Sequence, residues 1–100
     1  MKLLNKEIIK NLPPLYSTEH IKDPLVMCKF FTPDSSWSWY VIEFDEVNQI
    51  FYGYVCGFEN ELGYFSLEEI ESIKGPLGLD VERDISFTPK KLSVVKKEFQ

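Results

Sequence analysis

The central part of the chain consists of runs of strand-forming residues separated by connections too short to hold a helix. Residues 25–31, 37–45 and 50–56 are rich in aromatic and β-branched side chains, which are favoured in strands. Only the polar residues 46–49 separate the second run from the third, so these two strands are expected to form an antiparallel hairpin. Because a parallel pair needs a long crossover connection, this spacing favours an antiparallel sheet.

Further strands and short helices are predicted on both sides of this region. Pro13 and Pro14 end a first amphipathic helix, Ser66 caps a second, and Pro89 is suited to the first turn of a third. The predicted helices cover residues 2–11, 67–73 and 89–98, and the additional strands cover residues 63–65 and 81–87. The sequence therefore predicts a single α+β domain over residues 1–100, with one antiparallel sheet of about four or five strands and two or three short helices packed on it.

Alternation along the second strand assigns its side chains to two faces of the sheet. One face is predicted to carry Trp37, Trp39, Val41 and Glu43, and the other Ser38, Tyr40, Ile42 and Phe44. In the third strand, Gly53 indicates a bulge or a close approach of two backbones. Since a single sheet in a small domain does not hide both faces of every strand, some of these aromatic side chains are expected to be partly exposed.

The residues needed for catalysis or for a structural metal are scarce. His20 is the only histidine, which excludes a zinc finger, and Cys28 and Cys56 lie in apolar stretches typical of buried free thiols. No nucleophile elbow or phosphate-binding loop is present, and the apolar runs are far shorter than a membrane span. We expect a non-enzymatic cytoplasmic protein without cofactor, metal or catalytic residues; a small hydrolase or nucleotide-binding enzyme is the weaker alternative.

Charge is distributed very unevenly along the chain. The net charge is -5, and no lysine or arginine occurs between Lys29 and Lys74. That interval contains nine acidic residues: Asp34, Glu43, Asp45, Glu46, Glu59, Glu61, Glu68, Glu69 and Glu71. Direct DNA binding through this segment is not expected, because nucleic-acid affinity depends on lysine and arginine. The acids form either a solubilising surface or an acidic face for a basic partner.

Four segments of the chain resemble a known family. They are residues 12–19, 30–40 (Phe-Phe-Thr-Pro-Asp-Ser-Ser-Trp-Ser-Trp-Tyr), 62–70 (Leu-Gly-Tyr-Phe-Ser-Leu-Glu-Glu-Ile) and 75–84. They are similar to a bacterial family of unknown function, often found as free-standing small proteins on plasmids, integrative elements and prophages. Some small proteins that resemble its members are anti-CRISPR inhibitors of the type II RNA-guided DNA nuclease. The basic tail with Lys90, Lys91, Lys96 and Lys97 departs from the family pattern.

The resemblance and the acidic interval together suggest a function. The chain is expected to bind a type II CRISPR effector nuclease with its guide RNA, and to inhibit it through an acidic surface that competes for a nucleic-acid-binding region. The alternative is an accessory protein of a mobile element that binds another protein, such as a replication or conjugation protein. The residues expected to contact the partner are Asp34, Trp37, Trp39, Tyr40, Glu43, Asp45, Glu46, Glu59 and Glu61.

Overall fold

The computed structural model describes residues 2–98 and confirms the α+β class. Its main sheet has five antiparallel strands in the order β5-β4-β3-β2-β6, and β1 pairs with β7 in a separate two-stranded sheet. The strands are β1 (Leu25–Val26), β2 (Cys28–Phe31), β3 (Ser38–Asp45), β4 (Ile50–Cys56), β5 (Asn60–Ser66), β6 (Glu82–Arg83) and β7 (Lys90–Lys91). The helices are α1 (Lys6–Asn11), α2 (Leu67–Ser72) and α3 (Leu92–Lys97).

Several element boundaries differ from the sequence prediction. The run 25–31 is divided into β1 and β2, and the fourth strand is longer than the predicted 63–65. The predicted strand 81–87 is reduced to β6, because Asp84 accepts hydrogen bonds from Ser86 and Phe87 in a turn. Both terminal helices are shorter than predicted. The third begins later because residues 90–91 extend to pair with β1, a contact between distant parts of the chain.

A bulge in β3 reverses the predicted facing of its second half. The register against β4 shifts between Val41 and Glu43, so Ile42 is the extra residue. Phe44 consequently lies in the same core cluster as Trp39 and Val41, on what we call the first face of the sheet. Strict alternation predicted that Phe44 shares a face with Tyr40 and Ile42, and that Glu43 shares the opposite face with Trp39. For Glu43 and Phe44, which lie beyond the bulge, this prediction is wrong.

Helices cover both faces of the sheet, rather than leaving one face open. On the first face, α1 and α2 enclose a cluster of buried side chains: Leu3, Leu12, Cys28, Phe30, Trp39, Val41, Phe44, Phe51, Phe65, Ile70 and Val81. On the second face, α3 packs on a smaller cluster: Val26, Tyr40, Ile42, Tyr54, Cys56, Leu92 and Val95. The predicted cap of α2 is confirmed, since the Ser66 side chain accepts a hydrogen bond of 3.0 Å from the Glu69 amide. No helix among residues 2–98 is long and apolar enough to cross a membrane.

Both cysteines are free and buried, as the sequence predicted. Burial raises the pKa of the Cys28 thiol to about 12 and that of Cys56 to about 11. At pH 8 we therefore expect both thiols of the folded protein to react with a disulfide reagent more than about 100-fold more slowly than an unfolded cysteine. The measurement is thiol titration with and without denaturant; one equivalent of rapidly reacting thiol in the native protein would contradict the expectation.

Candidate functional site

Four of the acidic residues predicted to contact the partner lie at opposite ends of the sheet. Asp45 and Glu46 are at the β3–β4 turn, whereas Glu59 is in the β4–β5 turn and Glu61 is the second residue of β5. The seven residues of β4 separate these two turns, a distance of roughly 20 Å at the usual rise of a strand. The run of acids in the sequence therefore does not correspond to a single acidic surface.

Three of the predicted contact residues lie in the interior. Trp39 and Tyr40 are buried in the clusters on the first and second faces, respectively. Glu43 is only 2% exposed, and its carboxylate accepts hydrogen bonds of 2.9 Å from the amides of Tyr16 and Thr18. These three predicted contact residues are not at the surface. Trp39 lies in the cluster enclosed by α1 and α2, α3 covers Tyr40 on the second face, and Glu43 lies under the loop that carries Tyr16 and Thr18.

Asp34 is bound by another segment of the same chain. One of its carboxylate oxygens accepts a hydrogen bond of 2.7 Å from the amide of Leu77. A β-carbon built on Gly75 would lie 1.6 Å from the other oxygen, so this carboxylate rests directly on the glycine backbone. Asp34 thus fixes the segment that follows α2, and its side chain is only partly exposed.

Asp45 is also engaged locally, at the β3–β4 turn. Its carboxylate accepts a 2.8 Å hydrogen bond from the Asn48 side-chain amide and further bonds from the backbone amides of Asn48 and Val47. The hydrogen bonds from Asn48 hold the pKa of Asp45 below its ordinary value. This carboxylate stabilises its own turn, and the neighbouring Glu46 is exposed at this end of the sheet.

The opposite end combines exposed acids with exposed aromatic surface. Phe58 lies in the β4–β5 turn and is 95% exposed. Its ring packs edge-on against Trp37, with 5.3 Å between the ring centroids. Glu59 and Glu61 follow immediately and are exposed. We call Trp37, Phe58, Glu59 and Glu61 the aromatic–acidic end.

The fold holds Trp37 firmly in this position. Its ring stacks on the buried Trp39 with 5.9 Å between centroids, and a β-carbon on Gly57 would lie only 2.3 Å from it. Its amide donates a 3.0 Å hydrogen bond to the hydroxyl of the buried Thr32. The half-buried tryptophan is therefore a rigid support beneath the exposed Phe58.

Phe58 was not among the contact residues predicted from the sequence. It lies between Gly57 and Glu59, in a segment interpreted as a loop. A large apolar side chain within a tight turn cannot reach the core from either strand, and this was the signal that could have identified it. Single exposed apolar side chains are ordinary, and Val47, Leu77 and Ile85 are exposed as well. The position of Phe58 is informative because its ring adjoins that of Trp37, so that the two form an aromatic patch.

A groove lies on the second face between β5, α3 and the loop that contains Tyr16. Its volume is about 320 Å³, and tyrosines from three elements line it: Tyr16, Tyr52 and Tyr64. Tyr64 lies between the other two, with ring centroids 6.3 Å from Tyr16 and 5.0 Å from Tyr52. Within residues 2–98, no group of three or more histidine, cysteine or carboxylate side chains is arranged to hold a metal ion.

The comparisons with known proteins give a family but no activity. A family model described as a protein of unknown function (DUF2958) matches residues 3–98, which is nearly the whole chain. No curated protein and no solved structure matches the chain.

Proposed function

The chain belongs to the DUF2958 family, and we propose that it is a non-enzymatic protein-binding domain whose aromatic–acidic end docks on a basic surface of another protein. The observation that supports this most strongly is the 95% exposure of Phe58 directly beside Glu59 and Glu61. Aromatic side chains dominate binding energy when they are buried in an interface, and flanking charges select the partner and its orientation.

The charge at this end favours a protein partner over a nucleic acid. No lysine or arginine occurs from residue 30 to residue 73, which includes the whole of β3, β4 and β5. Phosphate groups would be repelled by Glu59 and Glu61, whereas lysine and arginine side chains would be attracted. Such an interface should weaken as salt concentration rises.

As the more specific form of this proposal, the partner is a type II CRISPR RNA-guided nuclease carrying its guide RNA. The support is the resemblance of residues 30–40 and 62–70 to proteins of plasmids and prophages, some of them similar to anti-CRISPR inhibitors. Nucleases of this class hold the guide–target duplex in a positively charged channel and read a short flanking motif with arginines. An acidic surface bound there would exclude target DNA by competition, in the cytoplasm of the bacterial host.

A cleavage assay tests whether the partner is a type II nuclease, and variants of matched charge test whether the aromatic–acidic end binds it. The protein is added to a type II nuclease before the guide, or after the guide and before target DNA, and cleavage is measured over a range of salt concentrations. The test variant carries Glu59→Lys and Glu61→Lys. The control carries Glu46→Lys and Glu71→Lys, which make the same charge change at two exposed positions that border one depression at the opposite end.

We expect wild type and control to inhibit cleavage, and the test variant to need at least about tenfold more protein for the same inhibition. Phe58→Ala should weaken inhibition by roughly 30-fold, because it removes the aromatic anchor without changing charge. Equal loss in both charge variants would show that net charge, rather than this end of the sheet, matters. Unimpaired cleavage with several such nucleases would overturn the nuclease assignment and favour another protein of a mobile element as the partner.

A further inference from the structure

Strand β5 forms a long free edge of the main sheet. It contains seven residues and, within residues 2–98, pairs only with β4. The other edge of the same sheet is β6, which has two residues. A long unpaired edge presents a row of backbone amides and carbonyls to which another extended chain can add.

The register identifies which backbone groups face outward. Gly57 donates its amide to Glu59, and Leu67 donates its amide to Gln49, each over 3.0 Å. Both pairs belong to the register between β4 and β5, in which Gly53 lies opposite Gly63. Because directly hydrogen-bonded pairs alternate in an antiparallel ladder, residues 61, 63 and 65 bond to β4, and the amides and carbonyls of residues 62 and 64 point to the free edge.

This edge lacks the features that usually prevent strand addition. Natural edge strands are protected by lysine, proline, bulges or very short length. Asn60–Ser66 contains no lysine or proline, and its pairing with β4 runs without a register shift. The outward backbone groups of residues 62 and 64 are therefore open to a further chain.

The two faces beside the edge differ in chemistry. On the second face, Leu62 is 40% exposed and Tyr64 is 56% exposed, next to Tyr16 at the groove described above. On the first face, Glu61 is exposed, with Glu59 in the adjoining turn. A chain added here would meet an apolar ledge on one side and carboxylates on the other.

We propose that β5 receives an extended segment of the partner as a sixth strand of the sheet, with apolar side chains over Leu62 and Tyr64 alternating with lysine or arginine side chains beside Glu61. The basic character of this segment rests on the proposed function. The strand addition itself rests on the free backbone groups of residues 62 and 64 and on the exposed apolar ledge.

A second copy of this chain fits the edge less well than a basic segment does. Antiparallel pairing of two β5 strands about Gly63 would bring Glu59 of each copy opposite Leu67 of the other, next to Glu68 and Glu69. Each copy also carries a net charge of -5. Repulsion between these neighbouring carboxylates, and between two chains of the same net charge, opposes self-pairing, so the geometry favours a partner of opposite charge.

Amide hydrogen exchange measured by NMR tests the proposal directly. The probe is an acetylated and amidated heptapeptide in which lysine and valine alternate; the control peptide has the same composition with the lysines and valines in two blocks. With the alternating peptide in excess, exchange of the Leu62 and Tyr64 amides should slow by at least about tenfold, because both amides become hydrogen-bonded. The Gly63 amide, which faces β4, should change little.

A pair of variants at one position separates backbone pairing from side-chain contact. Leu62→Pro removes an outward amide without removing a bond to β4, and should weaken peptide binding by at least about tenfold relative to Leu62→Ala, which keeps the amide. If Leu62→Pro fails to fold, the exchange data on the wild-type chain decide the question. Unchanged exchange at residues 62 and 64 with excess peptide would overturn strand addition.

The outcomes also separate this proposal from the proposed function. Suppose that the variant with Glu59→Lys and Glu61→Lys no longer inhibits the nuclease, while the amides of residues 62 and 64 gain no protection from exchange with the peptide. The aromatic–acidic end then binds the partner without strand addition. If the peptide protects both amides while the charge variant inhibits normally, strand addition stands and the proposed function fails. Protection that rises with protein concentration in the absence of peptide would identify a second copy as the occupant and overturn the partner strand.

Discussion

Replacing Gly53 with alanine is expected to lower the free energy of unfolding by about 3 kcal/mol or more, a large fraction of the roughly 5–15 kcal/mol that stabilises a typical domain. A β-carbon at this position would lie 2.0 Å from the backbone carbonyl oxygen of Tyr40 and 3.2 Å from the α-carbon of Val41. These are backbone atoms of the adjacent strand, at the point where β3 bulges, and no side-chain rotation can relieve the contact. The measurement is urea unfolding followed by the fluorescence of Trp37 and Trp39.

Gly63→Ala is the matched control, because Gly63 lies directly opposite Gly53 in the β4–β5 pair. A β-carbon at Gly63 would have no neighbour within 4 Å. Its unfolding free energy should stay within about 0.5 kcal/mol of the wild-type value. Similar stability of the two variants would show that the strands separate easily at the bulge, and that the close approach of β3 and β4 is not a constraint on the fold.

Local signals in the sequence predicted the features that depend on near neighbours. The short, mainly polar connection 46–49 between the second and third strands specified a hairpin, and Ser66 specified the start of α2; both are present in the structure. Gly53 was interpreted as a bulge or a close backbone approach; the close approach is present at Gly53, whereas the bulge lies in the neighbouring strand β3, between Val41 and Glu43. In each case, a few consecutive residues determine the geometry.

Features that depend on distant pairing could not be obtained in this way. Residues 90–91 form a strand only because Leu25–Val26 lies beside them, and a proline in a first-turn position suggested a helix there instead. The extra residue in β3 turns Glu43 away from the face predicted by strict alternation. A period of two residues gives the correct face only while the strand remains regular.

The candidate site was predicted in composition but not in arrangement. A run of nine acids in the sequence indicated an acidic surface, yet the strands carry Glu46 and Glu59 to opposite ends of the sheet. The interior position of Trp39 and Tyr40 depends on helices packing on both faces, which charge and alternation do not reveal. Glu59 and Glu61 remain at the surface because they lie where the β4–β5 hairpin turns, at the end of the sheet.

Replacing Glu43 with alanine is expected to lower the free energy of unfolding by about 3 kcal/mol, and the melting temperature by roughly 15 °C. Its buried carboxylate accepts hydrogen bonds from the amides of Tyr16 and Thr18 and from the Thr18 hydroxyl. Tyr16 has a φ of 69°, in the left-handed region that is costly for a residue with a side chain, and these bonds hold it there. Without the carboxylate, the backbone amides of Tyr16 and Thr18 in this loop would lose their hydrogen-bond acceptors.

Glu46→Ala is the control, since Glu46 is an exposed acid three residues further along the chain and should change stability by less than about 0.5 kcal/mol. Glu43→Gln should fall between the two, because its carboxamide keeps one accepting oxygen but presents a donating NH2 group to the other donors. Calorimetric melting of the three variants is the measurement, and equal melting of Glu43→Ala and wild type would show that water replaces the carboxylate beneath the loop. A Glu43 variant that loses partner binding would do so because the loop that places Tyr16 against Tyr64 has loosened. A Glu59 or Glu61 variant that loses binding would instead show that the exposed carboxylates contact the partner.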